Sequence, residues 1–267
     1  LKKNYLCHIK FWVLLDDFTA EEILQLEKVH QALTIIQFKL ESQLIKRRPE
    51  FQMEDQVTLD KIDYWEECLT IDDKKHPLIN TCFQTIDPTN PSELSPEEAQ
   101  AVDSMLASFQ ESLKLAEHIN LLMKKGSMYK IYNQHLLFHG CIPLEPSGEF
   151  QPLMIHQAHY VGRELLDFFE YHIRQAAKNK EIGDDFSTDL IWYCWRGKLS
   201  PLFGKDKMTT LERYFIEDKE THKEVENSYF SYRNSEKICR LILEEFGLFS
   251  QESRMVNGHT PVKTSKG

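Results

Sequence analysis

Leu136-Leu137-Phe138-His139-Gly140-Cys141-Ile142-Pro143 and, about 120 residues later, Arg254-Met255-Val256-Asn257-Gly258-His259-Thr260-Pro261 share one plan. Each carries a short apolar run into a His that touches a Gly, and each then turns through a Pro. A run of this kind predicts a strand, so each His is offered from a strand end. A strand end fixes the orientation of an imidazole ring, and neutral imidazole in a fixed orientation is a good metal ligand. The neighbouring Gly lets the backbone turn away and a ligand come close. Two such strand ends make half of a dinuclear metal site.

Outward from these motifs, residues 128–140 read as a hairpin or two strands ending at His139. Upstream, Thr19-Ala20-Glu21-Glu22 has capping-box spacing, and Leu26, Val29, Leu33, Ile36, Leu40 and Leu44 follow at helical intervals. A helix is predicted from about Thr19 to Lys46. Ser95-Pro96-Glu97-Glu98 opens a second, with Val102, Leu106, Phe109, Leu113 and Ala116 as its stripe and Gly126 beyond its end. Both would be roughly 40–45 Å long, which suggests an antiparallel helical pair that serves packing or assembly. A third helix is predicted from about Pro152 to Lys178 and a structured loop over 187–205. Helices are predicted after Thr209, where Thr209-Thr210-Leu211-Glu212 again has capping-box spacing, and from Ser235 to Glu245. A short strand then runs through Arg254–Asn257. Helices come first and a mixture follows, an α+β or α/β order.

The 267 residues suffice for one large domain or two small ones. A hydrophobic fraction of 41% and a charged fraction of 28% are those of a soluble globular protein. The longest apolar candidate, Phe11-Trp12-Val13-Leu14-Leu15, is too short to span a bilayer. No signal-peptide pattern is present. The net charge of −10 argues against nucleic acid and acidic membranes as partners. Six scattered cysteines without CxxC spacing argue for a reduced, cytoplasmic protein.

The strand-end strings resemble those of calcineurin-like metallophosphatases. Longer strings add to this: Ile35-Ile36-Gln37-Phe38-Lys39-Leu40-Glu41, Ile45-Lys46-Arg47-Arg48-Pro49-Glu50-Phe51, Leu59-Asp60-Lys61-Ile62-Asp63-Tyr64, Lys125-Gly126-Ser127-Met128-Tyr129, Ser200-Pro201-Leu202-Phe203-Gly204-Lys205, Glu212-Arg213-Tyr214-Phe215 and Asp218-Lys219-Glu220-Thr221-His222. Together they resemble the class III fructose-1,6-bisphosphatases, a bacterial family built on a metallophosphatase core. The resemblance covers roughly residues 30–263.

That resemblance implies a partial metallophosphatase sandwich, with 1–127 as a mainly helical insertion or arm and 128–267 as the C-terminal part of the core. It implies hydrolysis of fructose 1,6-bisphosphate to fructose 6-phosphate in gluconeogenesis, through water activated by a dinuclear manganese site. His139 and His259 would be ligands of its second metal. The competing readings are a non-catalytic assembly module and a metallophosphatase for another phosphoester. The family's Asp-x-His, Gly-Asp-x-x-Asp-Arg-Gly and Gly-Asn-His motifs are not found, and Gly183-Asp184-Asp185 is only a superficial echo. Position 261 is Pro rather than the second His of a Gly-His-x-His motif. The first metal's ligands, and with them the catalytic acid, are therefore unassigned. With Leu1 at one end and Gly267 at the other, the sequence reads as an internal fragment, expected to be inactive and aggregation-prone by itself, with a homo-oligomer forming through the helical arm.

A sugar bisphosphate needs cations as well as metals. The candidates are Lys205, Arg213 and Arg196. Arg47 and Arg48 are assigned to the helix end and solvent, and His222 to a surface hydrogen bond. His156 and His159 stand at i, i+3 on the predicted third helix without a carboxylate partner. Cys141 is read as packing rather than as a nucleophile.

Overall fold

A computed structural model describes residues 18–81, 83–179 and 185–259. Phe11–Leu15, Gly183–Asp184 and Thr260–Pro261 lie outside the described residues. In chain order the elements are α1 (Ala20–Arg47), β1 (Ile62–Asp63), β2 (Cys68–Ile71), β3 (Lys74–Pro77), α2 (Pro96–Glu111), α3 (Leu113–Lys125), β4 (Tyr129–Tyr132), β5 (His135–Phe138), β6 (Leu153–Ile155), β7 (Ala158–Tyr160), α4 (Gly162–Lys178), α5 (Phe186–Arg196), α6 (Thr210–Phe215), α7 (Tyr229–Tyr232), α8 (Glu236–Glu245) and β8 (Met255–Asn257). Helices and small sheets of three, three and two strands make it a mixed α and β structure of α+β type. No helix among the described residues is long and apolar enough to cross a membrane.

The chain forms two compact units. The first comprises the described parts of Leu1–Arg47, Glu54–Ala107 and Thr209–Lys223. Its α1 starts with a closed capping box: Thr19 N donates to Glu22 Oε2 at 2.7 Å, and Glu22 N donates to Thr19 Oγ1 at 3.3 Å. Only the C-terminal half of α1 is buried, from Thr34 to Ile45. Ile35 and Phe38 join Leu59, Ile62, Leu69, Leu78, Leu211 and Phe215 in one core. Leu24, Leu26 and Val29 are exposed. A second capping box starts α2, where Ser95 N donates to Glu98 Oε2 at 2.8 Å and Glu98 N donates to Ser95 Oγ at 3.2 Å.

The same Glu98 carboxylate receives the ammonium of fully buried Lys39 at 2.7 Å, and Lys39 also donates to Thr85 O at 2.5 Å. Thr85 Oγ1 closes the network on Glu98 Oε1 at 2.6 Å. Burial alone would push the Glu98 carboxyl up, but the bonds from Lys39, Thr85 and Ser95 outweigh it and hold the group below the usual carboxylate range.

The second unit comprises Arg48–Met53, Ser108–Met208 and the described part of Glu224–Gly267. Its central sheet has the order β4-β5-β8. The hairpin β4–β5 turns through Asn133 and Gln134, both left-handed (φ 48° and 61°) as a two-residue hairpin turn requires. β8 lies parallel to β5, pairing Leu136 with Met255 and Phe138 with Asn257. Packed α4 and α5 bury Leu165, Phe169, Leu190 and Tyr193, with Phe51 against Tyr193 at 4.9 Å between ring centroids.

Several expectations need correction. The second long helix is broken at Ser112, which leaves the helical region (φ −74°, ψ 100°) and caps α3 by accepting from Leu115 N. The hydroxyl competes with the helix for a backbone donor, so a Ser in a continuous stripe becomes a boundary. No matched helical pair results, and Phe109 and Leu113 of the predicted stripe are exposed. The third helix starts at Gly162, not Pro152. The residues before it form the β6–β7 hairpin, which turns at left-handed His156 (φ 53°). His156 and His159 therefore share no helix face. The predicted loop over 187–205 contains α5, whose N-cap Asp185 accepts from Ser187 N and Thr188 N. Thr209 makes no capping bond; its hydroxyl instead donates to His222 O and accepts from Arg213 Nε.

Candidate functional site: paired imidazoles at two strand ends

Parallel pairing of β5 with β8 places both strand ends at the same edge. The register continues past the last strand pair, since Gly258 N donates to His139 O at 2.9 Å. His139 Nε2 and His259 Nδ1 then stand 3.1 Å apart, with ring planes at 84°. Both residues are exposed. Two imidazoles bound at about 2.1 Å to one ion at near-right angles would have this N···N spacing. The donor set is right for a transition-metal ion, and among the described residues no third His, Cys, Asp or Glu atom completes a cluster around the pair.

Gly140 is required by packing. A Cβ there would lie 2.4 Å from Pro201 O. That carbonyl accepts from Cys141 N at 2.9 Å, so the segment Ser200–Lys205 is laid directly against the His139 turn. Gly204 is left-handed (φ 67°), and a Cβ on it would fall 3.1 Å from Cys141 Sγ. The Phe-Gly-Lys turn is thus packed against Cys141, two residues after His139, and Lys205 follows Gly204 directly. Gly258 is not similarly constrained; the left-handed residue of that motif is His259 itself (φ 64°). A non-glycine residue in this region is held there by its surroundings.

Partial burial of the His259 ring, then the neighbouring His139 and Lys205, hold its imidazole below the ordinary histidine value, with Glu226 opposing. The neutral ligating form is therefore favoured. The Cys141 thiol is fully buried, and burial pushes it up to about 12. It is packing, as expected, and offers no thiolate near neutral pH.

The remaining candidates separate. Lys205 Nζ pairs with Glu224 Oε2 at 2.6 Å, and its side chain is one-third exposed. Arg196 belongs to the same unit but is buried, with its guanidinium 5.6 Å from the Trp192 ring and 3.5 Å from Met208 O. Arg213 belongs to the other unit, where it donates to Thr209 Oγ1 and His222 O. His222 Nε2 lies 3.0 Å from Glu212 O and 2.9 Å from Ile216 O, a hydrogen-bonded role as expected. Arg48 departs from its solvent assignment: beyond the end of α1, it pairs at 2.7 Å with buried Asp189.

Two contributors were not anticipated. Asn227 Oδ1 accepts from Leu144 N and Tyr229 N, while Asn227 N donates to Gly204 O. It ties the chain after the His139 turn to the turn that carries Lys205. Glu224 holds Lys205 itself. Asn227 also closes a local turn onto Tyr229 N, but the bonds that tie it and Glu224 to the site run to residues far away in sequence.

The family model described as Firmicute fructose-1,6-bisphosphatase matches residues 8–267. The fructose-1,6-bisphosphatase class 3 of Streptococcus gordonii is 98% identical over 251 residues, which cover 94% of this chain and 40% of that protein. The protein of the same name from Streptococcus sanguinis is 81% identical over 269 residues, covering 99% of this chain and 42% of that protein. The one from Staphylococcus epidermidis is 52% identical over 249 residues, covering 93% and 38%. The chain thus spans about two-fifths of the length of these relatives. It matches no solved structure. With its family model matched over nearly the whole chain, this protein belongs to the Firmicute fructose-1,6-bisphosphatase family.

Proposed function

We propose that the chain supplies the second-metal half of a dinuclear phosphoester hydrolase that converts fructose 1,6-bisphosphate to fructose 6-phosphate and phosphate, in the cytoplasm and in gluconeogenesis. The observation that carries this reading is the 3.1 Å approach of His139 Nε2 to His259 Nδ1 at two adjacent strand ends. The names of the relatives support the reaction and substrate. We read β4-β5-β8 as part of one sheet of a metallophosphatase sandwich.

His139 and His259 would hold one manganese ion. Two bound ions would clamp the phosphoryl oxygens and supply a hydroxide nucleophile at neutral pH. The chain's own residues do the rest. The Pro201 carbonyl fixes the turn after His139 and so the direction of its ring. Lys205 is the cation placed to bind a phosphate oxygen. Arg196 and Arg213 act indirectly, by shaping the segments around them.

Phosphate release from fructose 1,6-bisphosphate with manganese tests this, using the full-length Streptococcus gordonii relative and the changes matching His139→Ala and His259→Ala. Loss of a second-sphere partner of a metal ligand commonly costs 10–100-fold, so loss of a ligand should cost more than about 100-fold. Folding should be unchanged, since both side chains are exposed. Full activity in either variant would remove the metal assignment.

A second reading rests on the exposed apolar residues of α2 and α3, Phe109 at 64% and Leu113 at 81% exposure. These favour assembly through the helical arm as a homo-oligomer.

A further inference from the structure

The Lys205 ammonium is not a free surface charge. Its segment is clamped to a second one: Lys205 forms an antiparallel bridge with Glu226, Asp206 N donates to Val225 O at 2.9 Å, and Val225 N donates to Asp206 Oδ1 at 2.7 Å. This clamp delivers Glu224 to Lys205, at 2.6 Å. The Glu224 side chain is 12% exposed and that of Lys205 33%, so the cation is the more open member of the pair. An ammonium has three donors, and among the described residues only Glu224 accepts from this one. A free lysine loses much rotamer entropy when it is fixed; pairing removes part of that cost before an anion arrives.

We propose that Glu224 is a positioning residue, which holds the Lys205 ammonium beside the His139–His259 pair and so sets the affinity of the site for a phosphate group. The proposal deepens the phosphoester reading and rests on it for its biological meaning. The placement of Lys205 toward the pair follows from the Gly204 turn packed on Cys141, two residues after His139. The alternative is that Glu224 merely neutralises Lys205. The two differ in sign. A positioning carboxylate strengthens anion binding, whereas a neutralising one weakens it.

The test uses the full-length Streptococcus gordonii relative with changes matching Glu224→Gln, Glu224→Asp, Lys205→Met and the Gln/Met double change. Calorimetric titration with inorganic phosphate, with and without manganese, reads binding without turnover. Glu224→Gln should weaken phosphate binding about 3–5-fold, and Lys205→Met about 10-fold or more. The double variant should be no weaker than Lys205→Met, because the two act as one unit. In turnover, Glu224→Gln should raise KM with kcat nearly unchanged, and Glu224→Asp should restore part of the loss. Unchanged or tighter phosphate binding in Glu224→Gln overturns the proposal, as does a double variant whose loss is the product of the single losses. Should the unmutated relative fail to hydrolyse fructose 1,6-bisphosphate while the phosphate results hold, the phosphoester reading fails and the positioning role stands.

Discussion

Two lysine–glutamate pairs of almost equal length have opposite uses. Lys39–Glu98 is 2.7 Å long with side-chain exposures of 0% and 9%; Lys205–Glu224 is 2.6 Å long with exposures of 33% and 12%. In the first, both ends are also bound to Thr85, and the carboxylate closes a capping box as well. Nothing is left for a ligand. In the second, the cation keeps an open side. The surroundings of an ion pair, rather than its length, decide whether it is structure or equipment.

Cutting each pair from its lysine side breaks the comparison open most widely. Lys39→Met leaves a buried carboxylate without its counter-charge and should cost about 3–5 kcal/mol of stability. Lys205→Met should cost about 1 kcal/mol. Urea unfolding of both variants measures this, and equal losses would erase the distinction. Next in size is Gly140→Ala, which pushes a methyl group into Pro201 O. Overpacking of this kind costs about 1–3 kcal/mol, and the loss of metal-dependent activity should exceed what that destabilisation explains. Activity falling only in step with stability would show that the turn does not aim His139.

The smallest effect concerns acid. Glu98 is held below its ordinary value, so its contribution is complete above the unfolded carboxylate value and is lost as pH falls through the lower folded one. Stability should therefore drop over that acidic range, and less steeply in Glu98→Gln. Parallel curves for the two proteins would mean that the buried pair does not govern acid unfolding.

The legible parts of this molecule are those written in contiguous residues. Thr19–Glu22 and Ser95–Glu98 close the capping boxes that their spacing announces. The His139 and Asn257-Gly258-His259 strings predict strand ends, and the strands are there. Ser112 escapes a sequence reading because a residue tolerated inside a helix takes the backbone donor of Leu115 instead. The β6–β7 hairpin is hidden because its turn residue, His156, accepts a left-handed backbone that its type rarely adopts. The α5 helix is obscured by aromatic residues that read as a loop, although Asp185-Phe186-Ser187-Thr188 holds its cap. Glu224 carries no local signature, and Asn227 only that of a turn onto Tyr229, since their importance to the site comes from Lys205, Gly204 and Leu144.

The parallel pairing of Leu136 with Met255 also has a consequence in time. Parallel strands cannot meet through a tight turn, and here a whole set of helices and a second hairpin separates them. Loop-closure entropy is lost before such a contact returns any energy. The hairpin of Tyr129–Phe138 can form early, from local contacts alone, but it then presents a solitary imidazole. Only after the intervening chain has collapsed can the second ring arrive. An ion bound by both rings would act as a late fastener on a long-range closure of the unit, slowing its opening more than it hastens its formation.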